Sequence, residues 1–179
     1  MITIASLLDN KANKEIEKYW MLLERDCLLS EIKTTPFPHF SWFTAMVGDN
    51  SAIEEKLEEI GPKLNPLSVQ TGGLGIFTGL KPVLYLPLIK TRELLTSHEM
   101  IWLNFQSIVN GTNQYYAPES WIPHITLAYG DLSARRLSCA IQNLSVIDLS
   151  MSIQIDNIAF LSRVDEEPRI EFVIPLNEQ

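Results

Sequence analysis

The chain carries one series of short motifs twice, in the same order and at nearly constant spacing. PHFSW at residues 38–42 returns as PHITL at residues 123–127. Three further pairs follow in the same order: Gly48-Asp49 and Gly130-Asp131, LSVQ at 67–70 and MSIQ at 151–154, and LPL at 86–88 and IPL at 174–176. Repetition of a whole series at a fixed period is the mark of a duplicated structural unit, here of about 80 residues.

This duplication predicts the fold. Each unit reads as strand, helix, strand, helix, strand, which favours an α+β fold with antiparallel sheets and helices outside them. We expect a single domain over residues 1–179, with repeat units of approximately 1–80 and 81–179 forming two lobes. Lobes related by a pseudo-twofold axis would bring the equivalent histidines together, and the prediction is a central cleft lined by histidine.

The paired histidines indicate chemistry rather than structure. Residues i and i+2 of a strand share a face, so His39 lies beside Ser41 and His124 beside Thr126. An imidazole with a pKa near 6.5 can give or take a proton at neutral pH. Two imidazoles flanking one atom can act as general acid and general base, while hydroxyl donors suit phosphoryl oxygens. The pattern predicts in-line attack on a phosphodiester.

Other interpretations of these residues are weaker. Two homologous halves could each have inherited a core histidine that bonds to a neighbouring hydroxyl. The third histidine, His98, has no hydroxyl two residues later and is expected to be a helix-surface or packing residue. A metal site built from two histidines with Asp49 or Asp131 would use residues that turn-helix junctions favour anyway. We therefore expect no metal and no cofactor.

The two His-x-Ser/Thr motifs on equivalent strands resemble the 2H phosphoesterase superfamily. Within it, the chain is most similar to the branch of bacterial 2′-5′ RNA ligases and cyclic phosphodiesterases. PHITL followed by an aromatic residue and Gly-Asp is typical of the second motif, whereas PHFSW has Ser and Trp where the family prefers Thr and Leu. The resemblance implies that His39 and His124 are the acid/base pair and that Ser41 and Thr126 hold the phosphate, without a metal.

From this resemblance we expect a metal-independent phosphodiesterase acting on 2′,3′-cyclic phosphates or related small cyclic or 2′-5′-linked nucleotides. One alternative is a 2′-5′ RNA ligase that runs the reverse reaction. Another is a module that binds nucleotides or RNA ends with little turnover. The four aromatic residues that could stack on a base, or simply fill the core, are Phe77, Tyr115, Tyr116 and Trp121.

Because the net charge is −8, we do not expect the chain to make extended contact with nucleic acid, since such binding depends on many Lys and Arg residues. A local basic pocket could still form from Lys81, Lys90, Arg92 and Arg163. The expected partner is a small nucleotide or an RNA end, bound by a monomer.

Composition also bears on the environment of the protein. Two cysteines, Cys27 and Cys139, are too few for a disulfide scaffold and suit a reducing cytoplasm. No apolar run approaches a membrane span. The glycines Gly72, Gly73 and Gly75 interrupt a strand pattern, which suggests a bulge or the close approach of the backbone to a ligand.

Overall fold

The computed structural model describes residues 1–34, 36–164 and 167–176. The described helices are α1 (Asn10–Cys27), α2 (Asn50–Ile60), α3 (Arg92–Phe105) and α4 (Ala134–Leu144). The described strands are β1 (Ile2–Leu7), β2 (His39–Gly48), β3 (Leu67–Gln70), β4 (Gly75–Phe77), β5 (Val83–Pro87), β6 (Val109–Thr112), β7 (His124–Tyr129), β8 (Ser152–Ile155), β9 (Asn157–Val164) and β10 (Glu167–Pro175). No helix in these ranges is both long and apolar enough to cross a membrane.

The strands form antiparallel sheets, as predicted for the α+β class. The main sheet has the order β10-β9-β1-β2-β7-β5-β4, and β6 adds to one end of β2. The strands that begin with the two histidines, β2 and β7, are neighbours at its centre. Within the described residues, β2 and β7 pair directly at one position, Phe40 with Ile125. The two strands therefore diverge on either side of that pair. This divergence opens the sheet between the two motifs.

A second, two-stranded sheet joins equivalent segments of the two repeat units. In the β3–β8 pair, Ser68 lies opposite Gln154 and Gln70 lies opposite Ser152. The hydroxyls of Ser68 and Ser152 are also 3.0 Å apart and hydrogen-bonded. Reciprocal pairing of this kind is expected where two copies of a unit meet about a twofold axis. The pseudo-twofold relation of whole lobes stays a prediction, which this pairing favours.

The core lies between the helices and the sheet face opposite the histidines. Phe40 and Ile125, the residues between each histidine and its hydroxyl, are fully buried there. His98 of α3 is also fully buried, with its ring stacked at 3.7 Å on Trp121. Trp121 in turn stacks on Trp42 at 5.6 Å. His98 is therefore a packing residue of the core and does not lie on the helix surface.

Aspartate side chains begin two of the helices. Helix α1 is capped by Asp9, whose side chain accepts hydrogen bonds from two backbone N–H groups. Helix α2 is capped by Asp49, whose side chain accepts from the N–H of Ala52. Aspartate is among the preferred residues at this position, because its carboxylate satisfies N–H groups that have no partner within the helix. Residues 109–112, which follow α3, form strand β6 because they pair with β2.

The expectation of two reduced cysteines is wrong for this structure. Cys27, the last residue of α1, forms a disulfide with Cys139 of α4, across a separation of 112 residues. The two helices pack against each other, which brings the Cα atoms of Cys27 and Cys139 to a separation of 5.6 Å. Because one cysteine comes from each repeat unit, the disulfide joins the two halves of the chain. A cytoplasmic location stays a prediction, and this bond does not favour it.

Candidate active site

The sheet register brings both motifs to one place. Phe40 and Ile125 point to one face of the sheet. The residues on either side of them, on both strands, therefore point to the opposite face. Because the strands are antiparallel, His39 lies on the same side of this pair as Thr126, and Ser41 lies on the same side as His124. The side chains of His39 and Thr126 also line one small cavity. The four residues predicted from sequence therefore form one cluster at the centre of the sheet.

A β-bulge follows the hydroxyl residue in each motif. The register of β2 against β1 skips Trp42, and the register of β7 against β5 skips Leu127. These residues occupy the same position in the two motifs. Because a bulge interrupts the alternation of faces, two successive side chains can point into the core. Trp42 and Phe43 are both buried, as are Leu127 and Ala128. The bulges were not predicted, although the repeated motif marks where they occur.

Each histidine is held by an equivalent hydrogen bond. Nδ1 of His39 lies 2.9 Å from the carbonyl oxygen of Phe37, and Nδ1 of His124 lies 2.7 Å from that of Ile122. A carbonyl can only accept, so Nδ1 carries the proton and donates it in both cases. In the neutral ring this leaves Nε2 as the free acceptor. Both imidazoles are thus preset to exchange protons through Nε2.

The carbonyl groups of the hydroxyl residues are capped by indoles. Nε1–H of Trp121 donates to the Ser41 carbonyl at 3.1 Å, and Nε1–H of Trp20 donates to the Thr126 carbonyl at 3.2 Å. Each indole thus ties a side chain from outside the two strands, one on α1 and one just before β7, to the backbone of the residue that carries the motif hydroxyl. Sequence analysis did not assign this role to either tryptophan.

Burial lowers the pKa of both histidines from the ordinary value of 6.5. For His39, burial is the main cause, the bond to Phe37 opposes it, and repulsion by a charged His124 lowers the pKa further. For His124, burial is again the main cause and the bond to Ile122 opposes it. Both rings are consequently mostly neutral at pH 7.

The two sides of the histidine pair differ in size and composition. Next to His124 is a cavity of about 710 Å³. Phe77 packs edge-on against the His124 ring at 4.9 Å, and Tyr85 stacks on Phe77 at 4.1 Å. Next to His39 is a cavity of about 90 Å³. Ser41 pairs with Ala5 of β1, whereas Thr126 pairs with Tyr85 of β5. The side chain next to the motif is therefore small in the first case and large in the second.

The residues lining the larger cavity include all four aromatic residues singled out from sequence. The cavity is lined by Ile76, Phe77, Thr78, Lys81, Val83, Asn113, Tyr115, Tyr116, Ser120, Trp121, Ile122, His124 and Tyr129. Burial raises the pKa of the Tyr116 hydroxyl, while a hydrogen bond with the Ser41 side chain lowers it. Tyr116 therefore connects this cavity with the first motif. Trp121 is fully buried, so its role is mainly structural.

Gly75 makes room for the side chain of Tyr85. A Cβ atom added at Gly75 would lie 2.3 Å from the ring of Tyr85. Only a residue without a side chain allows that ring to lie flat against strand β4 beside the histidine. At Gly72 the nearest atom would be Ile89 Cγ1, at 3.3 Å. The sequence-based suggestion of a bulge or of close approach to a ligand stays a prediction, and at Gly75 the group that approaches the backbone is the side chain of Tyr85.

Two of the four predicted basic residues border the site. Lys81 lines the larger cavity, and Arg163 lines the small cavity beside His39. Lys90 and Arg92 line neither cavity. Within the described ranges, no three His, Cys, Asp or Glu side chains are grouped so that they could hold a metal ion. Asp49 caps α2, and Asp131 accepts a hydrogen bond from the backbone of Ser30, so neither serves the histidines.

A family model described as the 2′-5′ RNA ligase superfamily matches residues 10–167. The chain belongs to this superfamily. The match confirms the resemblance to the 2H phosphoesterases, and it places the chain among phosphoesterases and ligases. Among curated proteins, none matches the chain at a significant level.

Solved structures of low sequence identity share the fold of this superfamily member. A crystal structure titled phosphoesterase superposes with a TM-score of 0.61 at 14% identity, covering 99% of this chain and 98% of the other. E. coli LigT complexed with NADP+ gives a TM-score of 0.58 at 12% identity, with coverage of 99% and 97%. The same protein complexed with 3′-AMP gives 0.54 at 12% identity, with coverage of 99% and 98%. These likenesses confirm the α+β antiparallel fold.

Proposed function

We propose that this superfamily member is a metal-independent phosphodiesterase that opens 2′,3′-cyclic phosphates or related small cyclic or 2′-5′-linked nucleotides. The observation that carries the proposal is the pair of equivalent Nδ1 bonds, which leave Nε2 of His39 and His124 for proton transfer. The hydroxyls of Ser41 and Thr126 lie beside them and would donate hydrogen bonds to the phosphoryl oxygens. That LigT has been crystallised with NADP+ and 3′-AMP supports a nucleotide substrate.

The unequal cavities suggest which histidine takes which role. A nucleoside fits the cavity of about 710 Å³ on the His124 side, whereas the cavity of about 90 Å³ beside His39 admits water or a small group. In hydrolysis of a cyclic phosphate, the leaving oxygen belongs to the ribose and therefore lies on the nucleoside side. We assign His124 as the general acid and His39 as the general base.

The reaction then balances as follows. Nε2 of His39 removes a proton from water as the water oxygen forms a bond to phosphorus. The opposite bond, from phosphorus to the ribose oxygen, breaks, and that oxygen receives the proton from Nε2 of His124. The product is a phosphate monoester with a free ribose hydroxyl. Exchange of protons with solvent restores both histidines for another turnover.

The test is kinetic. His39→Ala and His124→Ala should each lower kcat for 2′,3′-cyclic AMP by about 10²-fold or more, and the double variant should lose less than the product of the two. Activity should survive exhaustive chelation. Phosphorus NMR should detect one monoester isomer, because a single ribose oxygen faces His124.

Two outcomes would count against the proposal. One is a pair of folded histidine variants that keep full activity, which would make the histidines structural. The other is loss of activity on chelation that Zn²⁺ or Mn²⁺ restores. If the protein seals RNA ends but hydrolyses no cyclic nucleotide, the function of this site is ligation and not hydrolysis.

A further inference from the structure

A second groove, of about 590 Å³, lies next to the cavity beside His124. Asn113, Tyr115 and Ser120 line both, so the two spaces are adjacent. The second groove is lined by Met1, Thr44, Ala45, Met46, Gly111, Thr112, Asn113, Gln114, Tyr115 and Ser120. It is farther from the histidines along β2 and takes no part in the proposed reaction. Its composition indicates what it could bind.

One wall of this groove is the part of strand β2 that follows the bulge at Trp42. Thr44, Ala45 and Met46 line it, whereas Phe43 is fully buried. The groove therefore follows β2 beyond the first histidine motif. Met46 is 66% exposed, although it is a large apolar side chain.

The opposite wall is fixed firmly to β2. The backbone N–H of Asn113 donates to the Thr44 carbonyl at 3.0 Å, and the Asn113 side chain accepts from the Tyr115 N–H at 3.1 Å. Gly111 has a positive φ of 68°, and a Cβ atom there would lie 2.9 Å from the side chain of Met46. These contacts hold Tyr115 at the border of the two cavities, where the residue is 81% exposed.

The groove suits a nucleobase better than a phosphate. None of its ten lining residues carries a charged side chain, so no side chain there offers an ion pair to an anion. It does offer apolar surface from Met46 and Tyr115, with amide and hydroxyl groups from Asn113, Gln114 and Thr44. Nucleobases present flat faces that stack on aromatic rings, and edges that form hydrogen bonds.

We propose that this groove is a second nucleobase subsite, which makes a dinucleotide ending in a 2′,3′-cyclic phosphate a better substrate than a mononucleotide. The inference rests on the proposed function. The terminal nucleoside occupies the cavity beside His124, and the preceding base lies in the groove against Met46 and Tyr115. Lys81, which lines the first cavity, is available to the phosphate between the two nucleosides.

The first experiment measures kcat/KM for the mono-, di- and trinucleotide of adenosine that end in a 2′,3′-cyclic phosphate. Stacking of one base predicts a gain of about tenfold from mono- to dinucleotide, and less than about twofold from di- to trinucleotide. In Met46→Glu, the dinucleotide-to-mononucleotide ratio should fall from about ten to about one. Met21→Glu is the matched control, since Met21 is 56% exposed on α1 and away from the cleft. It should leave the ratio unchanged.

The second experiment separates failure of the subsite from failure of the proposed function. Binding of adenosine 3′-phosphate and of the adenosine dinucleotide 3′-phosphate is measured by calorimetry, which needs no turnover. Tighter binding of the dinucleotide by about tenfold, lost in Met46→Glu, supports the subsite even if no cyclic phosphate is hydrolysed. Equal affinities, or a preference that survives in Met46→Glu, overturn it. A steady gain with every added nucleotide also overturns it, because that indicates a longer track.

Discussion

At the scale of single residues, the Nδ1 bonds of the two histidines determine what each ring can do. Donation to a backbone carbonyl fixes the tautomer, so neither imidazole needs a carboxylate to orient it. The carbonyls belong to Phe37 and Ile122, which precede Pro38 and Pro123. A residue before proline favours extended backbone, which is how both motifs enter their strands. The proline of each motif is thus the sequence signal for this arrangement.

The lowered pKa values set the expected pH dependence of activity. Catalysis needs one neutral and one protonated histidine, and that form is most abundant between their two pKa values. Since burial lowers the pKa of both His39 and His124 below 6.5, kcat/KM should be greatest on the acid side of pH 6.5 and fall as pH rises. The measurement is kcat/KM for 2′,3′-cyclic AMP from pH 4 to 9. A maximum above pH 7 would contradict this expectation.

His98 should make the stability of the protein depend on pH. Burial is the main cause that lowers its pKa from 6.5 to about 4. Because the unfolded chain binds a proton at higher pH than the folded protein, stability should fall as pH drops from about 6.5 to about 4. A shift of this size corresponds to about 3 kcal/mol. Urea unfolding at several pH values measures the loss.

The matched variant is His98→Phe, which keeps an aromatic ring against Trp121 but cannot titrate. It should lose less stability than the parent protein over the same pH range. The active-site histidines act in the same direction, and they are present in both proteins, so the difference between the two reports on His98. Equal losses would show that His98 does not titrate in this way.

At the scale of elements, strand β4 shapes the wall of the site. Gly75→Ala places a methyl group in the space of the Tyr85 ring, which must move, and that ring supports Phe77 beside His124. We expect a loss of stability of about 1–3 kcal/mol from overpacking, together with a raised KM for cyclic nucleotides. Urea unfolding and steady-state kinetics measure the two effects.

Gly72→Ala is the control on the same segment, because its nearest neighbour would be the Ile89 side chain at 3.3 Å. It should change KM little. Adding Tyr85→Leu to Gly75→Ala should restore stability by removing the clash, but leave KM raised because the aromatic wall is lost. If Gly75→Ala alters neither stability nor KM, the ring of Tyr85 does not depend on this glycine.

The sequence predicts the elements with local signals and misses those that depend on tertiary contacts. Strands β2 and β7, and the clustering of His39 with His124, follow from the repeated motif. Strand β6 could not be predicted, because the residues of VNGT become a strand only by pairing with β2. The role of Tyr85 likewise depends on β5 lying beside β7, which no local pattern encodes.

At the scale of the whole molecule, the disulfide is the main feature that sequence analysis did not predict. It depends on α1 meeting α4, and the spacing of two cysteines says nothing about that. Reduction should lower the free energy of unfolding by about 2–5 kcal/mol, since the bond closes a long loop in the unfolded chain. Denaturant unfolding with and without dithiothreitol measures the effect. Cys27→Ser should show the lowered stability without any reductant, and no response to reductant.

The same disulfide has a consequence for the integrity of the polypeptide. Residues 78–82, between β4 and β5, form the connection between the two repeat units, and Leu80 there is 104% exposed. Exposed loops of this kind are preferred sites of proteolysis. A cut after Leu80 separates Cys27 and Cys139 into different fragments, yet leaves them covalently joined. The product would be a two-chain protein that runs as one species on a non-reducing gel, with His39 on one chain, His124 on the other, and β1 still paired to β9.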